Sequence, residues 1–502
     1  MSAVNETLIR DVVSEVLGRL GGNSTTTETQ TAPTPAVPQN DWCGCGGKKS
    51  VTTRTALRGK FGVFQDANEA CEAAHEAFLQ LSEKGVAGRN TVIKIIKDIC
   101  DAKAEEWGKL ELAETKIGRL DHKIEKLKGQ RGIPGTEFLN PFALSGDHGI
   151  TLEEFAPFGV IGAVTPSTHS IPTMACNIIS MVAAGNTAVF NAHPGAYKCA
   201  VTAARTFNQA IHRELGIENL ACIVEPPTLE SFDAISKNEN VRLLCVTGGP
   251  GVVKAAMASG KRAICAGPGN PPVLVDGTSC LDNAAKCVVA GAAYDNNLLC
   301  IGEKEVFVLE PFFEKFMSAM EKHGAFRLNA AQIENLAQAA FVFPPGQGAG
   351  CPHPVVNRDL VGKDPEILAK AAGVTIPRGT QLLIGETGPD HLFVEEEQMM
   401  PFVPVVRVKT VEEGVVASKK AEHNYKHSAM IHSHDVANMT AMARALETTL
   451  FIKNGSCLAG LGAGGEGYSN FSIATTTGEG ICNPRTFTRV RRCVMVDKLR
   501  IF

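Results

Sequence analysis

The stretch GVIGAVTPSTHSIPTMACNIISMVAAGNTAVFNAHP, residues 159–194, decides the fold. GVIGAVTP is apolar at successive positions rather than alternate ones. A strand buried on both faces reads that way. IPTMACNIISMVAAG then carries apolar residues around a helix and stops at Gly185. NTAVFNAHP is a second buried strand. Toward the C-terminus the alternation continues. GAYKCAVTAARTFNQAIHREL reads as a helix, LACIVEPP as a strand, SFDAISKNE as a helix and VRLLCVTGG as a strand. PGVVKAAMAS is then a helix and KRAICAGPG a strand. Apolar strands interleaved with helices predict a parallel, doubly wound sheet of the α/β class.

Working outward, a second α/β unit begins after Asn270 with PPVLVD. It runs through SCLDNAAKCVVAGAAYDNNLLC, the strand KEVFVLE, the helix PFFEKFMSAMEKHG and later runs such as PVVRVKTV. Upstream, Thr55 to Lys128 has helical spacing, and the charge of RNTVIKIIKDICDAKAEEWGKLELAET falls mostly on a solvated face. FALSG and GITLEEFAP flank Gly-Asp-His-Gly, which predicts a hairpin over 138–156. The tail TFTRVRRCVMVDKLRIF alternates and is β-rich.

The first twenty residues stand apart. Val4, Leu8, Ile9, Val12, Val13, Val16, Leu17 and Leu20 share one helical face, and Gly21-Gly22 ends the pattern. Residues 21–54 are rich in Thr, Pro and Gly and predict a disordered tether. An amphipathic helix on such a tether needs a partner for its apolar stripe, which predicts a docking peptide.

Composition narrows the function classes. The 502 residues carry 49 Lys plus Arg against 53 Asp plus Glu, a net charge of −4. That balance gives no electrostatic case for nucleic acid or an anionic membrane. No apolar run reaches the ~18 residues of a spanning helix, and no secretory apolar region opens the sequence. The 16 cysteines are scattered through apolar runs, as reduced thiols in the cytoplasm would be. Cys43-Gly44-Cys45 lacks further ligands nearby. His423 and His427 would share a helical face, but no third ligand accompanies them in sequence, so no metal site is expected.

Four places could carry chemistry. In VTGGPGVVKAA, Gly248 and Gly249 precede a helix, so the backbone could approach a phosphate at the helix N-terminus. Gly-Gly-Pro can equally be just a turn. Cys300 follows a helical pattern in a connecting segment, where a thiol is better placed to react than inside an apolar run. In EEEQMMPFVPVV, one of three glutamates could reach a crevice and accept from ribose hydroxyls, or all three could be solvated. The fourth is the His423–His427 pair.

Taken together, residues from about Thr55 to Phe502 resemble the aldehyde dehydrogenase superfamily. Thr165-Pro166-Ser167-Thr168 looks like the cofactor-contacting strand end, and Thr247-Gly248-Gly249 like the dinucleotide turn. Cys300 matches the catalytic cysteine, and Glu397 the glutamate that holds the nicotinamide ribose. The resemblance implies a Rossmann-type NAD-binding domain over 55–270 and a catalytic α/β domain over 271–455. It also implies a return segment over 456–502, whose last strands join the hairpin in an oligomerisation flap. Cys265, Ala266 and Gly267 are then cofactor-contacting. His193 stands near where many members bind the adenosine ribose with a lysine. Thr168 and His169 occupy the place of an oxyanion-hole asparagine.

One departure bears on the reaction. Hydrolytic members carry a glutamate before a Gly-Gly stretch upstream of the cysteine. Here that stretch is Ile264-Cys265-Ala266-Gly267-Pro268-Gly269-Asn270, without a carboxylate. Water attack then lacks its base, whereas a thiol acceptor needs less help. The pattern is similar to the CoA-acylating branch, with NAD and coenzyme A as cofactors. With the helix and tether, it resembles the propionaldehyde and acetaldehyde dehydrogenases of bacterial microcompartments. That resemblance implies a short-chain aldehyde substrate, a shell or co-cargo partner for residues 1–20, and a homodimer or homotetramer. A hydrolytic enzyme with its base elsewhere, or a non-catalytic cargo adaptor on the same fold, are the alternatives.

Overall fold

The computed structural model describes residues 59–343 and 354–497. The helix expected over 1–20, the tether over 21–54 with Cys43 and Cys45, and the residues just after Thr55 lie outside them.

The chain begins with β1 (Val63–Phe64) and three helices, α1 (Ala67–Ala102), α2 (Ala104–Thr115) and α3 (Leu120–Lys128). A hairpin of β2 (Phe142–Gly146) and β3 (Gly149–Pro157) comes next. The alternating part follows: β4 (Val160–Thr165), α4 (Ser170–Ala183), β5 (Thr187–Ala192), α5 (Tyr197–Leu215) and β6 (Ala221–Val224). It continues with α6 (Leu229–Lys237), β7 (Val241–Thr247), α7 (Pro250–Ala258) and β8 (Arg262–Ala266). These strands form a parallel sheet in the order β1-β6-β5-β4-β7-β8. Every residue of β4, β5 and α4 is buried, which explains the unbroken apolar runs. Gly162 is needed where α6 crosses β4, because a Cβ there would lie 2.6 Å from Ile235 Cγ2.

A second parallel sheet holds β9 (Pro272–Val275), β10 (Glu305–Leu309), β11 (Ala325–Leu328), β12 (Leu382–Glu386), β13 (Phe402–Val408), β14 (Ser428–His432) and β15 (Leu450–Lys453). Its order is β11-β12-β13-β10-β9-β14-β15. Helix α8 (Leu281–Ala293) leads from β9 toward Cys300. The tail returns to the first sheet, where the Cys265 N–H donates to Thr477 Oγ1 at 2.9 Å. Strand β16 (Thr488–Val496) then pairs antiparallel with β3, giving a three-stranded sheet β2-β3-β16.

Three expectations are corrected. Val63–Phe64 is a strand inside the segment expected to be helical, and two residues are too few to show a period. Glu111, expected on a solvated face, is buried and pairs with Lys123, and Lys126 of the polar stretch after it is buried against Asp295. His423 and His427 do not share a helical face. The preceding helix ends at Ala421, and His423 lies beyond it with φ +54°. Among the described residues no helix is long and apolar enough to cross a membrane. No group of three His, Cys, Asp or Glu among them is placed to hold a metal ion.

Candidate active site

In the first sheet the chain runs from β4 through β5 and β6 in one direction, then crosses to β7 and β8 on the other side. A parallel sheet opens a crevice beyond its strand ends where the order reverses. Thr165 closes β4 and Thr247 closes β7 at that point. A cavity of about 540 Å³ lies there.

The Thr165–His169 segment forms one wall. The turn Thr247–Pro250 forms the second, with Ala266, Gly267 and Pro268 beside it. Cys300, Glu397 and Met399 come from the second α/β unit, and Phe471 and Ile473 from the returning tail. Thr165, Pro166, Ser167, Thr168, His169, His193, Gly248, Gly249, Ala266, Gly267, Cys300 and Glu397 therefore share one cavity. Cys265 does not. Successive strand residues face opposite ways, so Ala266 meets the cavity while the Cys265 side chain packs in the core.

The donor set fits a nucleotide. Helix α7 has Pro250 in its first turn and Gly249 as its N-cap, with no side chain capping it. Gly249, Pro250 and Val252 line the cavity, so an uncapped helix N-terminus stands beside it as a candidate anion site. A Cβ on Gly248 would crowd Val252 Cγ1 at 2.7 Å, and one on Gly249 would meet nothing, so the backbone is left open to a ligand. The buried Thr165 Oγ1, Thr247 Oγ1 and His169 Nδ1 have no partner within the protein. His193 spends its Nδ1 on its own turn, accepting from the Gly195 N–H at 3.0 Å. Burial lowers its pKa, and the nearby Arg358 guanidinium adds to the effect.

Cys300 is half-buried at the cavity floor. Burial pushes its thiol up to about 12, the Glu397 carboxylate adds to the rise, and Lys304 opposes it. The backbone N–H groups of Cys300 and Ile301 favour the thiolate. Glu397 is pushed by burial up to about 7, against the pull of Lys304 and the Gly269 N–H. A carboxyl near 7 exchanges its proton readily at neutral pH. It is the one carboxylate lining the cavity among the described residues.

Two further residues were missed as site candidates. Lys304 is fully buried and donates from Nζ to Asn297 O at 2.7 Å and Oδ1 at 2.8 Å. The signal was the tripeptide Glu303-Lys304-Glu305 leading into an apolar strand, since charges at a buried strand entry need partners. His427, considered above only as half a metal site, is buried with its Nε2 unpartnered. A Cβ on Gly269 would lie 2.6 Å from Cys300 O and 2.8 Å from His427 Cγ, so this imidazole packs behind the nucleophile's backbone. Burial, then Lys304, lowers its pKa to about 4, so it is neutral.

A cysteine, a carboxyl near neutrality and an open helix N-terminus thus meet in one crevice, and the sequence comparison agrees with that geometry. Residues 52–331 match the model of the aldehyde dehydrogenase family. The chain belongs to the aldehyde dehydrogenase family. It is 44% identical over 444 residues to the acetylating acetaldehyde dehydrogenase EutE of Salmonella typhimurium, covering 88% of this chain and 94% of that one. Among solved structures, it superposes with TM-score 0.84 and 41% identity on a propionaldehyde dehydrogenase from the Clostridium phytofermentans fucose utilisation bacterial microcompartment. That match covers 88% of this chain and 100% of the other. A Rhodopseudomonas palustris propionaldehyde dehydrogenase with bound propionyl-CoA superposes with TM-score 0.82 and 39% identity, covering 87% and 95%. In this aldehyde dehydrogenase the α/β fold accords with those neighbours, and the cavity is bounded by the first sheet, by connecting segments of the second α/β unit and by the returning tail.

Proposed function

We propose that the chain is a CoA-acylating aldehyde dehydrogenase acting on propionaldehyde or acetaldehyde. The observation that carries this is a wall beside the nucleophile that holds no base for water, the one carboxyl lining the cavity among the described residues, Glu397, being assigned below to the ribose. Cys300 lines the cavity, and the facing segment Cys265–Asn270 holds no carboxylate. The Cys300 thiol gives up its proton, the one released in the overall balance, its sulfur adds to the aldehyde carbon, and the carbonyl electron pair moves to oxygen. The Cys300 backbone N–H, with Thr168 and His169 on the facing wall, is the donor set for that alkoxide. Loss of hydride leaves a thioester on Cys300. Bound NAD+ would supply the acceptor for that hydride, and the acyl group on Cys300 passes to the CoA thiol. In balance, aldehyde, CoA and NAD+ become acyl-CoA, NADH and a proton.

The chain's own groups do the rest. Thr165, Thr247 and the α7 N-terminus would hold the dinucleotide, and Glu397 would accept from a ribose hydroxyl. A water molecule attacking the thioester has to lose a far less acidic proton than a thiol, which titrates at about 8.5. Only the first needs a strong local base, which supports CoA as the acceptor.

The partners follow from two surfaces. Leu144 and Val494 both stand opposite Thr151 of β3, so they share one face of the β2-β3-β16 sheet with Val490 and Val496. Phe142, Leu144, Val490, Val494 and Val496 are all more than half exposed, a patch that suits a second copy of the chain. The 1–20 segment carries the enzyme to the shell or co-cargo of a bacterial microcompartment in the cytoplasm. The named microcompartment relative and the amphipathic pattern support that reading. The reaction is tested by product analysis with propionaldehyde. Propionyl-CoA as the product, lost in Cys300→Ala, supports it. Propionate as the main product with CoA present refutes it in favour of the hydrolytic reading, with Glu397 as the base.

A further inference from the structure

The turn that delivers Cys300 has an unusual backbone. Asp295, Asn296 and Asn297 all lie in the left-handed region, with φ of 51°, 56° and 61°. Asp and Asn tolerate that region better than other non-glycine residues, but three in succession persist only when their surroundings impose them. Each is held by a different part of the chain. Asn297 is held by Lys304. Asn296 Nδ2 donates to Gly362 O at 3.0 Å and Asp364 Oδ1 at 2.9 Å. Asp295 is held by α3 and the loop before it. Its Oδ1 accepts from the Arg119 N–H at 2.8 Å, its own N–H donates to His122 Nδ1 at 2.8 Å, and Oδ2 pairs with Lys126 Nζ.

The ion pair continues into a second one. Lys123, one turn before Lys126 on the same helix, pairs with Glu111 Oε1 at 3.0 Å. All four side chains are at most 2% exposed. This quartet is neutral as a whole and reaches the other wall of the cavity. Lys123 Nζ donates to Thr168 O at 3.4 Å, and Glu111 Oε2 accepts from the Ile171 N–H at 3.2 Å. One side of the quartet thus grips the nucleophile's turn, and the other grips the segment carrying Thr168 and His169. Burial raises the Asp295 pKa, but Lys126 and then Lys123 outweigh it, so the carboxyl stays ionised.

We propose that the buried Glu111–Lys123–Lys126–Asp295 quartet is a positioning device that fixes Cys300 relative to the Thr168–His169 wall. None of the four lines the cavity, so they act through the turn and the wall. A buried pair often contributes little net stability over an apolar one of equal volume, which leaves geometry as the reason for it here. The inference rests on Cys300 as nucleophile, and its test separates the two ideas.

Lys126→Met leaves Asp295 uncompensated and should lower both the melting temperature and kcat. The double variant K126M/D295N removes both charges, keeps the volume and keeps an acceptor for the Arg119 N–H. It should recover most of the melting temperature while kcat stays about 10²-fold down, the scale of a misplaced reacting group. KM for CoA should change less than twofold. Amide hydrogen exchange at 295–300 should rise at least tenfold, with β4 and β5 unchanged. Recovery of both kcat and melting temperature would make the quartet merely structural and overturn the proposal, as would unchanged exchange at 295–300. The exchange measurement does not depend on the reaction, so it still decides if the wild type proves not to use CoA. Should the double variant not fold, Lys126→Arg keeps the charge and changes its geometry. A tenfold fall in kcat at unchanged melting temperature then supports the device, and unchanged kcat refutes it.

Discussion

If the missing carboxylate determines the acyl acceptor, restoring it should redirect the reaction. Ala266 ends β8, is 7% exposed and lines the same cavity as Cys300. Ala266→Glu would place a carboxylate on that wall. Glu397, already in the cavity, is pushed by burial to about 7, and a new carboxyl a few residues from Gly269 would meet a similar environment. A base with a pKa near 7 is well matched to deprotonating water at neutral pH, and general-base catalysis contributes about 10²–10⁴-fold. At about 1.36 kcal/mol per tenfold, that is about 3–5 kcal/mol off the barrier to thioester hydrolysis. The added volume should cost about 1–3 kcal/mol of stability in this packed region. The assay is NADH formation from propionaldehyde without CoA, with propionate quantified. The CoA-independent rate should rise at least a hundredfold over wild type. It should increase with pH through about 7 and level off above, because the ionised form is the base. A folded variant whose Cys300 still alkylates normally, but which gains less than tenfold, would refute the reasoning.

Other outcomes follow from the same structure. With its thiol held near 12, ligand-free Cys300 should be alkylated by iodoacetamide about tenfold faster for each pH unit between 7 and 9, read by peptide mass spectrometry. A plateau within that range would show that Lys304 and the backbone amides outweigh burial. Deleting residues 1–20 should leave kcat unchanged and abolish co-sedimentation with microcompartment shells. Loss of folding on deletion would instead make that segment structural. If the exposed row with Leu144 is the proposed contact between copies, Val494→Glu should shift the protein to smaller species by sedimentation velocity without altering the melting of the core. An unchanged assembly would place the interface elsewhere.

The sequence carried the alternation of the first sheet because strands buried on both faces leave continuous apolar runs such as Val160–Thr165. The order of Gly248, Cys300 and Glu397 was legible only through the family resemblance, because each stretch alone reads equally as a turn, a packed thiol or a solvated face. Cys265 was misjudged because a contact segment was read as continuous, whereas strand alternation sends neighbouring side chains to opposite faces. The buried charges were hidden for a different reason. Asp295 and Lys126 lie 169 residues apart, and only the folded chain shows that either has a partner. Local composition put the charge of 89–115 on a solvated face, although Glu111 packs inside against Lys123 of the polar stretch that follows. Phe471 and Ile473 were hidden in the same way, since the tail reaches the cavity only by returning across the first sheet.

The central claim is that Cys300 holds an acyl group that CoA, not water, removes. Single-turnover mixing of enzyme with NAD+ and propionaldehyde, without CoA, tests it most directly. A burst of one NADH per chain should be followed by a stall, with a propionyl mass on the Cys300 peptide that disappears when CoA is added. Linear NADH formation without CoA, at the rate seen with it, would contradict the account.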